Sequence, residues 1–266
     1  MGSALATISS ERIEQRFAQL KAAGRCALIP YITAGHPDAA RTSELLNALE
    51  DAGADLIELG LPFSDPLADG PIIQASSQTS LRLGMNFDRL LELVARANVR
   101  VPLVLFTYLN PLIAAGHDAL TRAADAGFSG LLLTDLPVGA DPTREAWIGS
   151  GPLAFIRLVA PTTPADRMRE ISEHGRGFVY LISRLGVTGL QTDMAAELPD
   201  TVARLRAAST LPVCVGFGVS TPPQAAAVAR IADGVVVGSA IVRAAGDSVA
   251  AAAQLTASLR AAIDSR

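Results

Sequence analysis

The chain has 266 residues, 50% of them hydrophobic, and a formal net charge of −4. It is long enough for one large domain or two small ones, and the absence of a Lys/Arg run excludes nucleic acid as the expected partner. No apolar run reaches the roughly 18 residues of a membrane helix and no signal peptide is recognisable, so the sequence predicts a cytoplasmic protein that binds no membrane.

Apolar runs of strand length alternate with helical periodicities after an N-terminal helix. The spacing of Ile13, Phe17 and Leu20 predicts that first helix over residues 11–23. Strands are predicted at 27–33, 56–60, 103–107, 130–134, 153–159, 178–182, 212–216 and 234–237, and helices at 39–52, 76–98, 118–126, 141–150, 164–174, 195–208, 222–231 and from 248 onward. These regular units favour a (β/α)8 TIM barrel with an additional N-terminal helix, as a single domain over residues 1–266. An open doubly wound sheet is the alternative.

The scarcity of lysine limits the possible chemistry. Lys21 is the only lysine among 22 basic residues, and it lies in the first helical pattern, where an exposed charge is expected. Schiff-base aldolases and pyridoxal enzymes need a lysine in their site, so both classes are excluded. The three histidines lie far apart without metal-ligand spacing. The sequence therefore predicts no metal and no cofactor.

The run over residues 56–74 contains the strongest candidates for catalysis. It reads L-I-E-L-G-L-P-F-S-D-P-L-A-D-G-P-I-I-Q, so that Glu58 lies within a strand while Asp65 and Asp69 follow on a proline-rich loop. A carboxylate in a buried strand is costly unless it is paired, neutralised or functional. Two carboxylates in unlike surroundings suit acid–base chemistry. The alternatives are an arginine pair for Glu58 and turn or helix capping for the aspartates.

Glycines follow the last two predicted strands. Gly218 comes after the seventh strand, and Gly238 with Ser239 comes after the eighth. Glycine lets backbone N–H groups approach an anion closely, and a short helix starting at Gly238 and Ser239 would direct its positive end to the same point. This pattern predicts a phosphate site at the C-terminal end of the barrel. The alternative is that these glycines only form tight turns.

The 56–74 run also resembles the signature of a known family. The segment E-L-G-L-P-F-S-D-P-L-A-D-G-P-I-I-Q is similar to that of the tryptophan synthase alpha chain family. Five further segments match in family order: P-Y-I-T-A-G-H-P, F-T-Y-L-N-P, Y-L-I-S-R-L-G-V-T-G, G-F-G-V-S and G-S-A-I-V. The resemblance implies a lyase of L-tryptophan biosynthesis that cleaves indole-3-glycerol phosphate to indole and glyceraldehyde 3-phosphate. It also implies an α2β2 assembly with a pyridoxal-dependent beta subunit.

The resemblance assigns roles to individual residues. It implies that Glu58 and Asp69 are catalytic, that Tyr31, Tyr180, Thr188 and Phe217 line the indole and glycerol pocket, and that Gly189, Gly218, Gly238 and Ser239 bind the phosphate. It further implies that the loop after Ile182 is a mobile lid and that Asp65 faces the beta subunit. His36 and the segment L-P-V-G-A depart from the family pattern, which leaves details of the subunit interface open.

Other functions remain compatible with the sequence. A sugar-phosphate isomerase or epimerase could use the same barrel, because fold does not determine chemistry. A catalytically silent barrel subunit and a free-standing indole-3-glycerol phosphate lyase are further alternatives. Intact Glu58, Asp69 and glycine loops argue against the silent subunit.

Overall fold

The computed structural model describes residues 2–182, 191–216 and 218–265, and for residues 2–8 and 191–196 only the backbone. Eight parallel strands in this part of the chain form a closed barrel in sequence order, and the last strand pairs with the first. A helix precedes the first strand. The predicted (β/α)8 barrel with an additional N-terminal helix is therefore confirmed.

The bounds of the elements follow the predicted alternation closely. The strands are β1 Ala27–Thr33, β2 Ile57–Gly60, β3 Leu103–Thr107, β4 Phe128–Leu133, β5 Ala154–Val159, β6 Val179–Ile182, β7 Val213–Gly216 and β8 Gly234–Val237. The helices are α1 Gly2–Ala22, α2 Ala39–Asp51, α3 Pro71–Arg82, α4 Phe87–Arg96, α5 Leu109–Ala114, α6 Ala119–Ala126, α7 Pro142–Gly149, α8 Ala165–Glu173, α9 Gln191–Ala208, α10 Pro222–Ala229, α11 Ser239–Asp247 and α12 Val249–Asp264. Among the described residues, no helix has the length and apolar character that a membrane crossing needs.

The single helix predicted over residues 76–98 is wrong, because two helices occupy this region. Gly84 adopts φ +79°, a left-handed conformation that ends α3 and that glycine reaches without strain. Asn86 then caps α4, accepting a hydrogen bond from the backbone N–H of Arg89 at 3.0 Å. The guanidinium group of Arg89 donates to the carbonyl oxygens of Leu83 and Gly84, which closes the turn between the helices.

Helix α1 closes the N-terminal end of the barrel. Its buried side chains Ile13, Phe17 and Leu20 belong to the same apolar cluster as the inward-facing side chains of the strands. The Phe17 ring lies 5.7 Å from that of Phe178, which directly precedes β6. Apolar side chains therefore fill the barrel at the N-terminal ends of the strands, and the polar groups of a catalytic site are expected at the C-terminal ends.

A buried ion cluster joins α1 to the last helix. Asp55, which lies two residues before β2, is 1% exposed and accepts hydrogen bonds from Arg16 at 2.6 Å and from Arg260 at 2.9 Å. Its second oxygen also accepts the backbone N–H of Leu28 at 2.9 Å. Because three donors neutralise and satisfy this carboxylate, its burial is tolerated. The cluster fixes α1 and α12 against the N-terminal end of the barrel.

Candidate active site

Glu58 lies inside the barrel on β2. It pairs in register with Tyr31 of β1 and Val104 of β3, and strand alternation turns its side chain inward. It is 1% exposed, and its Oε1 atom has no hydrogen-bond partner among the described residues. This burial raises the pKa of the carboxyl to about 8. Glu58 is therefore mostly protonated at neutral pH and can act as an acid.

Asp69 lies on the loop between β2 and α3 and is half-buried. Burial raises the pKa of its carboxyl to about 6, although a hydrogen bond from Tyr108 opposes this shift. The Tyr108 hydroxyl donates to Oδ2 of Asp69 at 3.0 Å. At neutral pH Asp69 is therefore mostly ionised. The two carboxyl groups of the site thus have opposite predominant charge states.

The loop that holds Asp69 is folded back on itself. The backbone N–H of Asp69 donates to the carbonyl oxygen of Pro66 at 3.0 Å, and the Gln74 side chain donates to the carbonyl oxygen of Asp69 at 2.9 Å. Asp65 lies on the exposed part of this loop and accepts a hydrogen bond from Ser64. Asp65 is thus a surface residue, whereas Asp69 faces the barrel.

One cavity of about 150 Å³ at the C-terminal end of the strands brings the predicted site residues together. Its lining includes the predicted residues Tyr31, Glu58, Asp69, Tyr180, Gly218, Gly238 and Ser239. Gly70, Ile73, Phe106, Val219, Ser220, Val236 and Ala240 also line it. The predicted site residues Thr188, Gly189 and Phe217 lie outside the described residues.

Aromatic side chains form part of the wall of this cavity. The Tyr31 ring meets that of Phe106 edge-on, with centroids 5.1 Å apart. The Tyr180 ring lies over Gly216 at the end of β7, where a Cβ would come within 2.2 Å of its hydroxyl oxygen. Flat apolar surfaces of this kind suit an aromatic ligand.

The other side of the cavity suits an anion. Gly218 adopts φ +92°, and Gly238 is the N-cap of α11, which begins at Ser239 as the sequence predicts. The first N–H groups of a helix have no partner within it, and the helix dipole makes this end positive. The nearest atom to a Cβ at Gly238 would be Ile73 Cδ1 at 3.7 Å, so a side chain there would project into the cavity. Glycine at this position keeps the N–H groups accessible.

Several residues line the cavity that the sequence did not predict there. Phe106 lies two residues after the inward-facing Val104 on β3, so the period of a strand puts both side chains on the same face, and this signal could have identified it. Gly70 and Ile73 were missed because α3 begins at Pro71, five residues before the predicted helix start. No group of three or more His, Cys, Asp or Glu side chains that could hold a metal lies within the described ranges.

Comparisons of sequence and of fold agree on one family of known proteins. The family model described as tryptophan synthase alpha chain matches residues 17–265. The tryptophan synthase alpha chain of Caulobacter sp. (strain K31) is 49% identical over 253 residues, which cover 93% of this chain and 90% of that relative. The crystal structure of tryptophan synthase subunit alpha from Legionella pneumophila str. Paris has a TM-score of 0.88 at 36% identity, covering 96% of this chain and 99% of that one. The aminoacrylate-bound form of tryptophan synthase from M. tuberculosis has a TM-score of 0.85 at 36% identity, covering 95% and 99%.

Proposed function

Because the chain belongs to the tryptophan synthase alpha chain family, and is thereby an indole-3-glycerol phosphate lyase of tryptophan biosynthesis, we propose that Glu58 and Asp69 are its two catalytic groups. One observation supports this most strongly. A mostly protonated carboxyl and a mostly ionised carboxylate line the same cavity, with pKa values raised to about 8 and about 6. The reaction needs an acid and an anion at once.

The need for an acid follows from the bond that breaks. Indole C3 is the leaving carbon, and an aromatic ring leaves poorly unless C3 is first protonated. Glu58 donates this proton, which places a positive charge on the ring nitrogen. The ionised Asp69 stabilises that charge.

The cleavage step returns the proton. As the bond between C3 and the glycerol chain breaks, its electron pair restores the indole ring, and the adjacent glycerol hydroxyl becomes the carbonyl of glyceraldehyde 3-phosphate. The proton lost by this hydroxyl goes to the carboxylate of Glu58, which ends the cycle protonated. One buried group therefore serves as acid and then as base.

The two sides of the cavity divide the substrate between them. Tyr31, Tyr180 and Phe106 flank the indole ring, and Gly218 with the start of α11 at Gly238 and Ser239 receives the phosphate. From the sequence resemblance, we also assign Thr188 and Phe217 to substrate binding and Gly189 to phosphate binding. Binding at both ends would hold C3 near Glu58.

The partner we propose is a tryptophan synthase beta subunit, in an α2β2 assembly. Leu67 is 93% exposed on the loop that carries Asp65 and Asp69, and Ile113 in α5 is 38% exposed. A partner that covers these apolar side chains would remove them from water. Because Leu67 precedes Asp69 by two residues, a partner that contacts it would act on the catalytic loop.

Indole release from indole-3-glycerol phosphate, with and without a beta subunit, tests this function. Slow cleavage by the chain alone, strongly raised by the beta subunit, is the expected result. Fast cleavage that the beta subunit does not change would instead indicate the free-standing lyase. A folded chain that releases no indole in either condition would indicate the silent barrel.

A further inference from the structure

Tyr108 has no part in the cleavage described above, yet its hydroxyl contacts a catalytic group. We propose that Tyr108 is a positioning residue that fixes the orientation of the Asp69 carboxylate in the substrate cavity. This proposal rests on the proposed role of Asp69 and extends it to a third side chain.

The hydrogen bonds at the Tyr108 hydroxyl have a defined direction. Its oxygen lies 3.0 Å from the backbone nitrogen of Ala68 and 3.0 Å from Oδ2 of Asp69. A backbone N–H can only donate, so the hydroxyl oxygen accepts from Ala68. The hydroxyl proton is thereby directed to Asp69, which accepts it best as a carboxylate. This bond uses Oδ2 and, within the described part of the chain, leaves Oδ1 to a donor on the substrate.

The phenol ring is anchored to the rigid part of the barrel. Tyr108 directly follows β3 and is 5% exposed. Its ring packs on that of Phe63, with centroids 5.0 Å apart. The backbone N–H of the next residue, Leu109, donates to Asp135 at 2.7 Å, which ties the end of β3 to the end of β4. A residue held by the barrel therefore fixes a carboxylate that belongs to a loop.

A role limited to holding the loop in place is the competing explanation. It differs from positioning in its electrostatics. A hydrogen bond donated to a carboxylate favours the charged form, and the Tyr108 bond lowers the pKa of Asp69 against the effect of burial. Its removal would raise the pKa of Asp69 and move the acid limb of activity to higher pH. Loss of loop packing alone would lower activity without moving that limb.

The variant Tyr108→Phe keeps the ring and removes the hydroxyl. We expect kcat/KM for indole release to fall roughly 10- to 100-fold, the effect of losing one hydrogen bond to a charged group. We also expect the acid limb of the pH profile to shift upward. Phe63→Leu is the matched control, because it disturbs the packing of the same loop and leaves the hydroxyl in place. Its acid limb should coincide with that of the unmodified chain.

A double-variant comparison separates this proposal from the proposed function. If Tyr108 acts through Asp69, adding Tyr108→Phe to Asp69→Asn should cause little further loss. An Asp69→Asn chain with full activity would refute the catalytic role of Asp69 itself. An inactive Asp69→Asn chain, together with a Tyr108→Phe chain whose acid limb is unmoved, would refute the positioning role alone. Urea unfolding midpoints of all variants show whether the fold is retained.

Discussion

The hydroxyl of Tyr31 occupies the space that a side chain at Gly60 would need. A Cβ at Gly60 would lie 2.1 Å from the Tyr31 hydroxyl oxygen. Tyr180 and Gly216 repeat the arrangement on β6 and β7, at 2.2 Å. In both pairs, the glycine lies on the strand that follows the strand of the tyrosine. Gly60 is in register with Thr33, and Gly216 is in register with Ile182, each two residues after the tyrosine. The cavity thus depends on glycines that make room for its aromatic walls.

Gly60→Ala should displace the Tyr31 ring. Because the added methyl group would overlap the phenol in a packed barrel, we expect a loss of about 1–3 kcal/mol in the free energy of unfolding. Activity should fall as well, since Glu58 lies two residues away on the same strand. Urea unfolding and indole release measure the two effects.

Gly149→Ala is the matched control for this substitution. Gly149 ends α7, is exposed and has no neighbouring atom within 4 Å of an added Cβ. The control should leave stability unchanged or raise it by up to about 1 kcal/mol. Equal destabilisation by the two substitutions would contradict the steric explanation.

Glu58→Gln should remove the proton donor and keep the shape of the site. We expect turnover to fall roughly 10²- to 10⁴-fold, the usual worth of general acid–base catalysis. The affinity for a substrate analogue, measured by calorimetry, should change little because the amide fills the same volume. A Glu58→Gln chain that works at nearly the normal rate would disprove the assignment.

The pH dependence of kcat/KM should be bell-shaped. Asp69 must be ionised, so activity rises as pH increases through about 6, where its carboxyl titrates. Glu58 must be protonated, so activity falls as pH increases through about 8. Rates measured from pH 5 to 9 in buffers of constant ionic strength check both limbs. In Asp69→Asn the residual activity should lack the acid limb, and an unchanged limb would assign it to another group.

Asp55→Asn should weaken the attachment of α1 and α12. The amide cannot neutralise the Arg16 and Arg260 guanidinium groups, and Arg260 is itself nearly buried. We expect a loss of about 3 kcal/mol in the free energy of unfolding. Asp264→Asn, which breaks a half-exposed pair with Arg260, should cost less than about 1 kcal/mol. Urea unfolding measures the free energy of unfolding of both variants. A similar loss in the two would refute the conclusion that Asp55 contributes more to stability than Asp264.

The features of the fold that could be predicted are those that recur along the sequence at a regular spacing. The alternation of apolar runs and helical periodicities indicated the barrel, and the glycines after the last strands indicated the start of α11. These features depend on residues close in sequence. The break at Gly84 was not predicted, because helical periodicity continues past it and an isolated glycine is tolerated in a helix. The left-handed φ of Gly84 and the cap at Asn86 mark the turn in the structure.

Contacts between distant segments could not be predicted in this way. Tyr108 stands 39 residues after Asp69, and no periodicity connects them. Their hydrogen bond depends on the pairing of β2 with β3 and on the conformation of the loop between β2 and α3, which carries Asp69. Similarly, α5 spans six residues, fewer than the window over which helical periodicity can be recognised.

The ion cluster at Asp55 also has a consequence for how the protein is made. Arg16 lies 39 residues from Asp55, whereas Arg260 lies 205 residues from it. During synthesis on the ribosome, the carboxylate and its first arginine therefore emerge long before the second. Until α12 is complete, Arg16 is the only one of these two cations with which the carboxylate can pair. Chains that terminate early would lack the final cation and would be readily degraded by cellular proteases.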